Sequence, residues 1–466
     1  MTGAGSDTIA AIATAPGRGA LAAVRISGPW AGRIAAALTG TVAAPDGSPG
    51  ELAPRRAALR RLTHPETGVP LDRAVLTWFP GPASYTGEDL VEISCHGGAL
   101  VPALVLDAVC AAGARPAERG EFTRRAYLNG KLDLVQAEAT LDLIDARSER
   151  MGGAALFALE RGLSQRVERL RLGAIELQAL IAYDIDFPGE DDGPLDRTRI
   201  ERAAETLEAD VEDLLRHAPE GELLREGALT VIGGRPNAGK SSLFNALLGI
   251  ERAIVTDQPG TTRDAIEALL GVDGYPFRLV DTAGLREGAE RVEGMGIEVA
   301  RSYLDQADLA LVCVEHFRAP DPEEQAFIDR LVERLGVGRV VVVRTKADLG
   351  AATSGYVRCR AGVEVAVAAP HGQGLDELRR VMLAAAYAGL AEGREQPLVT
   401  RRRHVRALER ARDEIAAFRR AWAEGHPPEI ASTHAQDAVL ALEQLLGSVT
   451  TDDVLDAVFS RFCVGK

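Results

Sequence analysis

The chain has no run of ~18 consecutive apolar residues, the length a helix needs to cross a bilayer, so no membrane span is expected. Its first residues, Met1-Thr-Gly-Ala-Gly-Ser-Asp7, lack the basic-then-apolar design of a secretory signal. Only five cysteines occur in 466 residues (Cys95, Cys110, Cys313, Cys359 and Cys463), and none form a C-x-x-C pair. An odd, dispersed set of thiols argues for a reducing, cytoplasmic setting and against a zinc site. Aromatic residues are 5% of the chain, so its cores must be built mainly from Ala, Leu and Val. Positive charge is also in short supply. A net charge of −15 disfavours a protein that coats nucleic acid by bulk attraction. Two local exceptions stand out, Arg55-Arg56 with Arg60-Arg61 and Arg401-Arg402-Arg403-His404 with Arg406. Each reads first as a solvated face, and more sharply as a phosphate-contacting patch.

What is present is a phosphate-binding loop, Gly234-Arg-Pro-Asn237-Ala238-Gly239-Lys240-Ser241-Ser242. Its glycines let backbone N–H groups close around phosphates, Lys240 neutralises the β/γ charge, and Ser241 can hold Mg²⁺. Thr256-Asp257-Gln258-Pro259-Gly260-Thr261-Thr262 follows, in which Thr262 can complete the Mg²⁺ shell. Asp281-Thr282-Ala283-Gly284 then supplies an acid near the metal and a glycine N–H for a γ-phosphate. Thr345-Lys346-Ala347-Asp348 supplies a carboxylate that accepts from guanine N1–H and its exocyclic amine, which specifies GTP over ATP. It departs from N-K-x-D by Thr345 for Asn. A last base-contact loop is expected at Ala368-Ala369, where Ser-Ala is usual. These ordered elements point to a GTP/GDP-binding hydrolase.

The hydrolytic machinery departs from that of Ras-like switches. Leu285 follows D-x-x-G, where a glutamine would orient water, and it can do no polar work. Glu293 is a candidate to act through a second water; a solvated loop carboxylate is the equal alternative. A monovalent cation can stand in for an arginine finger, with the Asn237 side-chain oxygen and carbonyls of the Thr256–Thr261 loop as ligands.

The organisation is multidomain. Residues 7–110 mix strands (Ile9–Ala13, Leu21–Ile26, Arg73–Phe79, Leu90–Ser94) and helices (Ala31–Leu38, Leu100–Ala111) in an α+β pattern. From Arg119 the texture is helical. Leu156, Leu163, Val167, Leu170, Ala174, Leu177 and Ile181 form one stripe, and Val405, Leu408, Ala411, Ile415, Phe418 and Trp422 another. Between the helical blocks, strand and helix candidates alternate through 223–387, which implies a mostly parallel sheet with helices on both faces. The expected domains are 1–118, a discontinuous helical domain of 119–222 with 388–466, and an inserted Ras-like P-loop GTPase domain of 223–387.

Further marks run end to end: Thr14-Ala-Pro-Gly-Arg-Gly19, Arg25-Ile-Ser-Gly28, Tyr85-Thr-Gly-Glu-Asp89, Cys95-His-Gly-Gly98, Arg119-Gly-Glu-Phe-Thr123, Asn129-Gly-Lys-Leu-Asp133, Gly260-Thr-Thr-Arg-Asp264 and the terminal Phe462-Cys-Val-Gly-Lys466. By these the chain resembles the MnmE (TrmE) family of tRNA-modification GTPases. The resemblance implies an N-terminal domain similar to folate-dependent aminomethyltransferases, which forms a homodimer and binds a tetrahydrofolate derivative (5-formyl- or 5,10-methylene-). It implies a K⁺-stimulated G domain and a flavoprotein partner, MnmG. Together these install an aminomethyl or carboxymethylaminomethyl group at C5 of the wobble uridine of certain tRNAs. Positions matching the family's folate pocket are Arg25, Glu92, Lys131 and Lys466. Those matching its K⁺ loop are Asn237, Thr256, Gln258 and Thr261, and those matching Mg²⁺ binding are Ser241 and Thr262. Glu293 matches its water-orienting acid. Cys463 matches its near-terminal cysteine, which is either a nucleophile in uridine chemistry or a bystander thiol. His96 reads better as a turn histidine than as a catalytic one. The runner-up function is a ribosome-assembly GTPase with the same cation chemistry. Such proteins append an RNA-binding module, and no G-x-x-G-bearing KH pattern is found here.

Overall fold

The computed structural model describes residues 7–50, 52–186, 197–216, 218–250, 267–281, 303–304, 306–349, 356–359, 362–387 and 399–466. Its chain contacts divide into two units, Met1–Leu141 with Ser164–Glu168 and Leu442–Lys466, and Asp142–Leu163 with Arg169–Ala441.

The first unit is built on a six-stranded sheet. Its strands are β1 (Ile9–Ile12), β2 (Leu21–Ser27), β3 (Ala58–Thr63), β4 (Pro70–Phe79), β5 (Leu90–His96) and β6 (Arg115–Pro116), in the order β3-β4-β5-β2-β1-β6. The pairing is antiparallel apart from the short parallel β1–β6 contact. Apolar residues alternate along the strands, which puts them on one face. Val24, Ile26, Leu62, Leu76 and Ile93 pack there with Ile34 and Leu38 of helix Ala31–Thr39 and Val105 and Val109 of helix Leu100–Ala111. The alternate residues lie on the opposite face, and register aligns Thr77 with Glu92 and Glu92 with Arg25. Strand β3 was not anticipated. Its Leu-Arg-Arg-Leu core offers a single fully buried apolar position, Leu62, so the alternation is too short to read. The C-terminal segment belongs to this unit: Leu455, Val458, Phe459 and Phe462 pack on Leu134, Ala137 and Leu141.

In the second unit a seven-stranded sheet carries the motifs. Its strands are β7 (Ala228–Gly234), β8 (Glu267–Val272), β9 (Tyr275–Asp281), β10 (Leu309–Glu315), β11 (Val340–Thr345), β12 (Tyr356–Cys359) and β13 (Gly362–Ala366), in the order β12-β13-β11-β10-β7-β9-β8. The five central strands are parallel, and β8 and β12 close the edges antiparallel. Parallel strands covered on both faces read as unbroken apolar runs, as β10 (Leu-Ala-Leu-Val-Cys-Val) does. Helices Lys240–Ile250 and Leu375–Ala386 cover one face through Leu243, Leu247, Leu378 and Met382, and helix Pro322–Leu335 covers the other through Ile328 and Leu331. The expected doubly covered parallel sheet is therefore present. The helix expected over Met295–Leu304 lies outside the described residues up to 302.

Two stripe assignments are corrected. Leu156 is 46% exposed and belongs to a separate helix, Glu149–Leu159, so the buried stripe starts at Leu163 on helix Gly162–Asp186. On helix Arg402–Ala423 the buried row runs from His404, which is 3% exposed, and Val405 lies beside it only half-buried. Leu177 and Ile181 meet Phe418 and Trp422 of that row together with Ile200 and Ala204.

The arginine cluster near 401 is also not simply a solvated face. Arg401 is 7% exposed, and its Nε and Nη2 donate to the Asp142 carboxylate at 2.8 and 2.7 Å. Arg225 Nε donates to the same carboxylate at 3.1 Å. Arg225 precedes the seven-stranded sheet in sequence and Arg401 follows it, so one carboxylate ties the chain's entry to its exit.

Candidate functional site

The described motif residues lie at the carboxyl ends of the parallel strands, where open α/β sheets bind their ligands. Strand β7 ends at Gly234 and helix Lys240–Ile250 opens with Lys240, so the loop presents backbone N–H groups and the helix's positive end together. Gly234 has φ +135°, and a Cβ there would stand 2.5 Å from the Cys313 carbonyl oxygen. Any larger residue would push the loop off β10. Asn237 holds φ +62°, a left-handed conformation that asparagine tolerates better than most residues. Arg235 anchors the loop to the start of helix Pro322–Leu335. It pairs with Asp321, which caps that helix, and with Glu323 at 3.2 Å.

Lys240 Nζ donates to the carbonyls of Gly234 and Arg235 at 3.1 and 2.6 Å, so the ammonium lies across the loop. Ser241 Oγ donates to Asp281 Oδ2 at 2.8 Å. Asp281 closes β9 and is 1% exposed, while Ser241 is exposed. A buried carboxylate behind an outward hydroxyl is the donor set a hard divalent cation takes in nucleotide sites. Cys313 lies near this group, but burial pushes its thiol up to about 12, which keeps it neutral.

The loop expected to read the base follows β11. Thr345 is buried, and its hydroxyl donates to the Ala238 carbonyl of the phosphate loop at 2.7 Å. A threonine in place of asparagine thus still ties the base loop to the phosphate loop, a link the sequence did not reveal. Lys346 has φ +56° and its Nζ pairs with Glu315. Ala347 N–H donates to Val367 O at 3.2 Å, and Asp348 follows in a short 3₁₀ turn. Ala368 is fully buried, and Ala369 starts the turn that ends in His371. His371 Nε2 lies 3.8 Å from Asp348 Oδ2, a neighbour the motifs did not suggest.

The structure therefore brings together Asn237, Ala238, Gly239, Lys240, Ser241, Asp281, Thr345, Lys346, Ala347, Asp348, Ala368 and Ala369 at the carboxyl ends of β7, β9, β11 and β13. Ser242 is the next exposed residue of the phosphate-loop helix. Thr256, Asp257, Gln258, Pro259, Gly260, Thr261, Thr262, Thr282, Ala283, Gly284, Leu285 and Glu293 lie outside the described residues.

The residues matched to a folate pocket lie in the first unit. Arg25 and Glu92 are cross-strand partners, with Nε to Oε1 at 2.8 Å, and the Arg25 guanidinium stands 5.9 Å from the Tyr85 ring centre. Burial holds the Lys466 ammonium below the ordinary lysine range, helped by the Arg25 charge and opposed by Glu92. The chain end thus reaches the Arg25–Glu92 pair. Gly465 makes this approach possible: at φ +98°, a Cβ on it would stand 2.6 Å from the Ile12 carbonyl oxygen. Lys131 Nζ donates to the Pro82 carbonyl at 3.0 Å. Cys463 is exposed, and its carbonyl accepts from Gly120 N–H at 3.4 Å. His96 bonds through Nδ1 to Asp72 at 2.7 Å, in keeping with a structural role.

Among the described residues no helix is long and apolar enough to cross a membrane. The family model described as "GTP-binding protein TrmE N-terminus" matches residues 8–131, and the one described as "MnmE helical domain" matches residues 134–463. A tRNA modification GTPase MnmE from Methylobacterium radiotolerans is 44% identical, over 99% of both chains. One from Geobacter metallireducens is 40% identical, again over 99% of both. Among solved structures, the G domain of the T. maritima FeoB iron transporter is 26% identical, covering 34% of this chain and 97% of that one with a TM-score of 0.26. On two family models and full-length relatives above 30% identity, the chain belongs to the MnmE family.

Proposed function

We propose that this chain hydrolyses GTP to drive modification of tRNA at C5 of the wobble uridine. It would act as a homodimer with a flavoprotein partner, MnmG, and a tetrahydrofolate one-carbon unit. The observation that carries the nucleotide half is the joining of three motifs by two side-chain bonds, Ser241 to Asp281 and Thr345 to Ala238. The full-length relatives, named as tRNA modification GTPases, support the other half.

Ser241, with Thr262, would hold Mg²⁺, which when bound draws charge from the β- and γ-phosphate oxygens. Lys240 places a second positive charge at the loop, and the loop N–H groups orient the phosphates. Asp348 selects guanine, and the Thr345 bond fixes its distance from the phosphate loop. Glu293 would orient water in place of the missing glutamine. Asn237, with Thr256, Gln258 and Thr261, would hold K⁺. The exposed, left-handed position of Asn237 suits a side chain turned outward from the loop. In the first unit, Glu92 suits the adjacent N–H donors of a pterin. Arg25, Lys131 and Lys466 suit carboxylates of the folate tail.

Hydrolysis is expected to run on the order of tenfold faster in KCl than in NaCl at equal ionic strength, a difference of ~1.4 kcal/mol in barrier. Asn237→Ala should flatten that ratio. Equal rates in both salts for the unaltered chain would discard the cation assignment.

The experiment that tests the function itself is nucleoside mass spectrometry of tRNA from a strain lacking this protein. Loss of the C5 modification of the wobble uridine is expected. A normal nucleoside profile would refute the reading.

A further inference from the structure

The outer face of the first unit's sheet holds an arginine group that nucleotide and folate binding leave unused. Register places Arg61 of β3 directly opposite Arg73 of β4, and both are exposed. Like charges facing across a strand pair are destabilising. Among the described residues neither guanidinium has a carboxylate in ion-pair range. The one acid on β3 and β4, Asp72, accepts from the His96 backbone N–H and bonds the His96 ring. Leu59 and Val75, 54% and 37% exposed, form the next cross-strand pair on this face. Beyond the start of β3, Arg56 is exposed, and Arg55 is held at φ +56° with Nη2 donating to Ala83 O at 3.0 Å. From Arg56 to Arg61 the edge is at most ~17 Å long, enough to follow several phosphates of a polynucleotide.

We propose that this edge, through Arg56, Arg61 and Arg73, is the surface on which the chain holds the phosphate backbone of its RNA substrate. The inference rests on the tRNA reading above. Charge complementarity carries it: unpaired guanidinium groups are concentrated on one sheet edge of a molecule with net charge −15. Arg73 stands four residues from Thr77, whose cross-strand neighbour is Glu92. Arg73 therefore lies ~13 Å along the strand direction, and one to two strand spacings of ~4.8 Å across, from the Arg25–Glu92 pair on the same sheet face.

The test uses the full chain and fluorescently labelled bulk tRNA, with anisotropy read across a salt series. Arg61→Glu with Arg73→Glu should weaken binding at least about tenfold. It should also flatten the log–log salt slope by about 1.5, the share of two phosphate contacts. GTP hydrolysis, whose residues lie in the second unit, should be unchanged, and an unshifted thermal unfolding curve reports that the first unit still folds. Arg33→Glu, on the helix Ala31–Thr39 that packs against the other face, should leave the slope alone. No measurable binding by the unaltered chain, an unchanged slope in the double variant, or an equal loss with Arg33→Glu would overturn the proposal. An unchanged slope would assign these arginines to protecting an exposed strand edge from mispairing. In cells the two readings separate. If deletion removes the modification and the double variant restores it fully, the docking edge is wrong and the function stands.

Discussion

Replacing Asp348 by asparagine is expected to weaken GTP and GDP binding by ~10³-fold and to create a site that prefers xanthosine nucleotides. Guanine presents two donors in line, N1–H and the exocyclic amine, and a carboxylate accepts both. An asparagine in the same place offers one acceptor and turns an N–H₂ group toward the amine, so donor meets donor. Xanthine carries a carbonyl where guanine carries the amine, and the asparagine then has a partner for each atom. Sites built around such hydrogen bonds reject the mismatched analogue by 10⁴–10⁵-fold. The Asp348 side chain is 27% exposed, and water softens the mismatch, so the smaller figure of ~10³, about 4 kcal/mol, is the expectation. The fold should survive. Thr345 and the Ala347 N–H bond to Val367 fix the loop's backbone, and neither uses the Asp348 carboxylate. Titration with fluorescent GDP and XDP analogues measures the change. Unaltered GDP affinity in the variant would show that another group reads the base.

The sequence made the nucleotide site legible because each element is local. A glycine loop, a D-x-x-G and a T-K-x-D each declare themselves within eight residues, and the strands before them are mostly apolar. The parallel direction of β7, β10, β11 and β13 followed from strand–helix alternation, while their order in the sheet did not. What stayed hidden is whatever depends on distant residues. The Thr345 hydroxyl reaches Ala238 across 107 positions, so the sequence shows the departure from asparagine but not the bond that replaces it. Arg401 read as part of a solvated cluster because its buried partner, Asp142, lies 259 positions away. Leu156 fitted a helical period but not the helix, since the chain breaks between Leu159 and Gly162 and the count restarts. Strand β3 was missed because an edge strand with one outward charged row carries little apolar alternation. In the first unit, the motif Arg25-Ile-Ser-Gly28 was visible, but only strand register shows that Glu92 stands beside Arg25.

Lys240→Ala is expected to lower GTP turnover by ~10²–10³-fold with a smaller loss of stability, ~2 kcal/mol. The ammonium is held by two carbonyls of its own loop, so the charge is positioned before any phosphate arrives and costs no reorganisation when it does. Its surroundings make it hard to replace. The neighbouring Cys313 thiol stays neutral at about 12, and Asp281 adds a negative charge. In the variant, the charge that builds on the phosphate oxygens has the Asp281 carboxylate behind Ser241 and no ammonium at the loop to offset it. Two unit charges 4 Å apart interact by ~4 kcal/mol at an effective dielectric of 20, so losing even most of one such interaction accounts for the predicted range. The structural role is smaller. Two loop hydrogen bonds are removed, each worth ~1 kcal/mol, and the loop retains its anchor through Arg235 to Asp321. Single-turnover hydrolysis and thermal unfolding on the same sample separate the two effects. Lys240→Arg makes the comparison sharper. It keeps the charge, but the larger, planar guanidinium does not fit the buried space the compact ammonium fills, so partial binding with poor turnover is expected. Turnover within threefold of the unaltered chain in Lys240→Ala would mean that the charge at this loop comes from elsewhere.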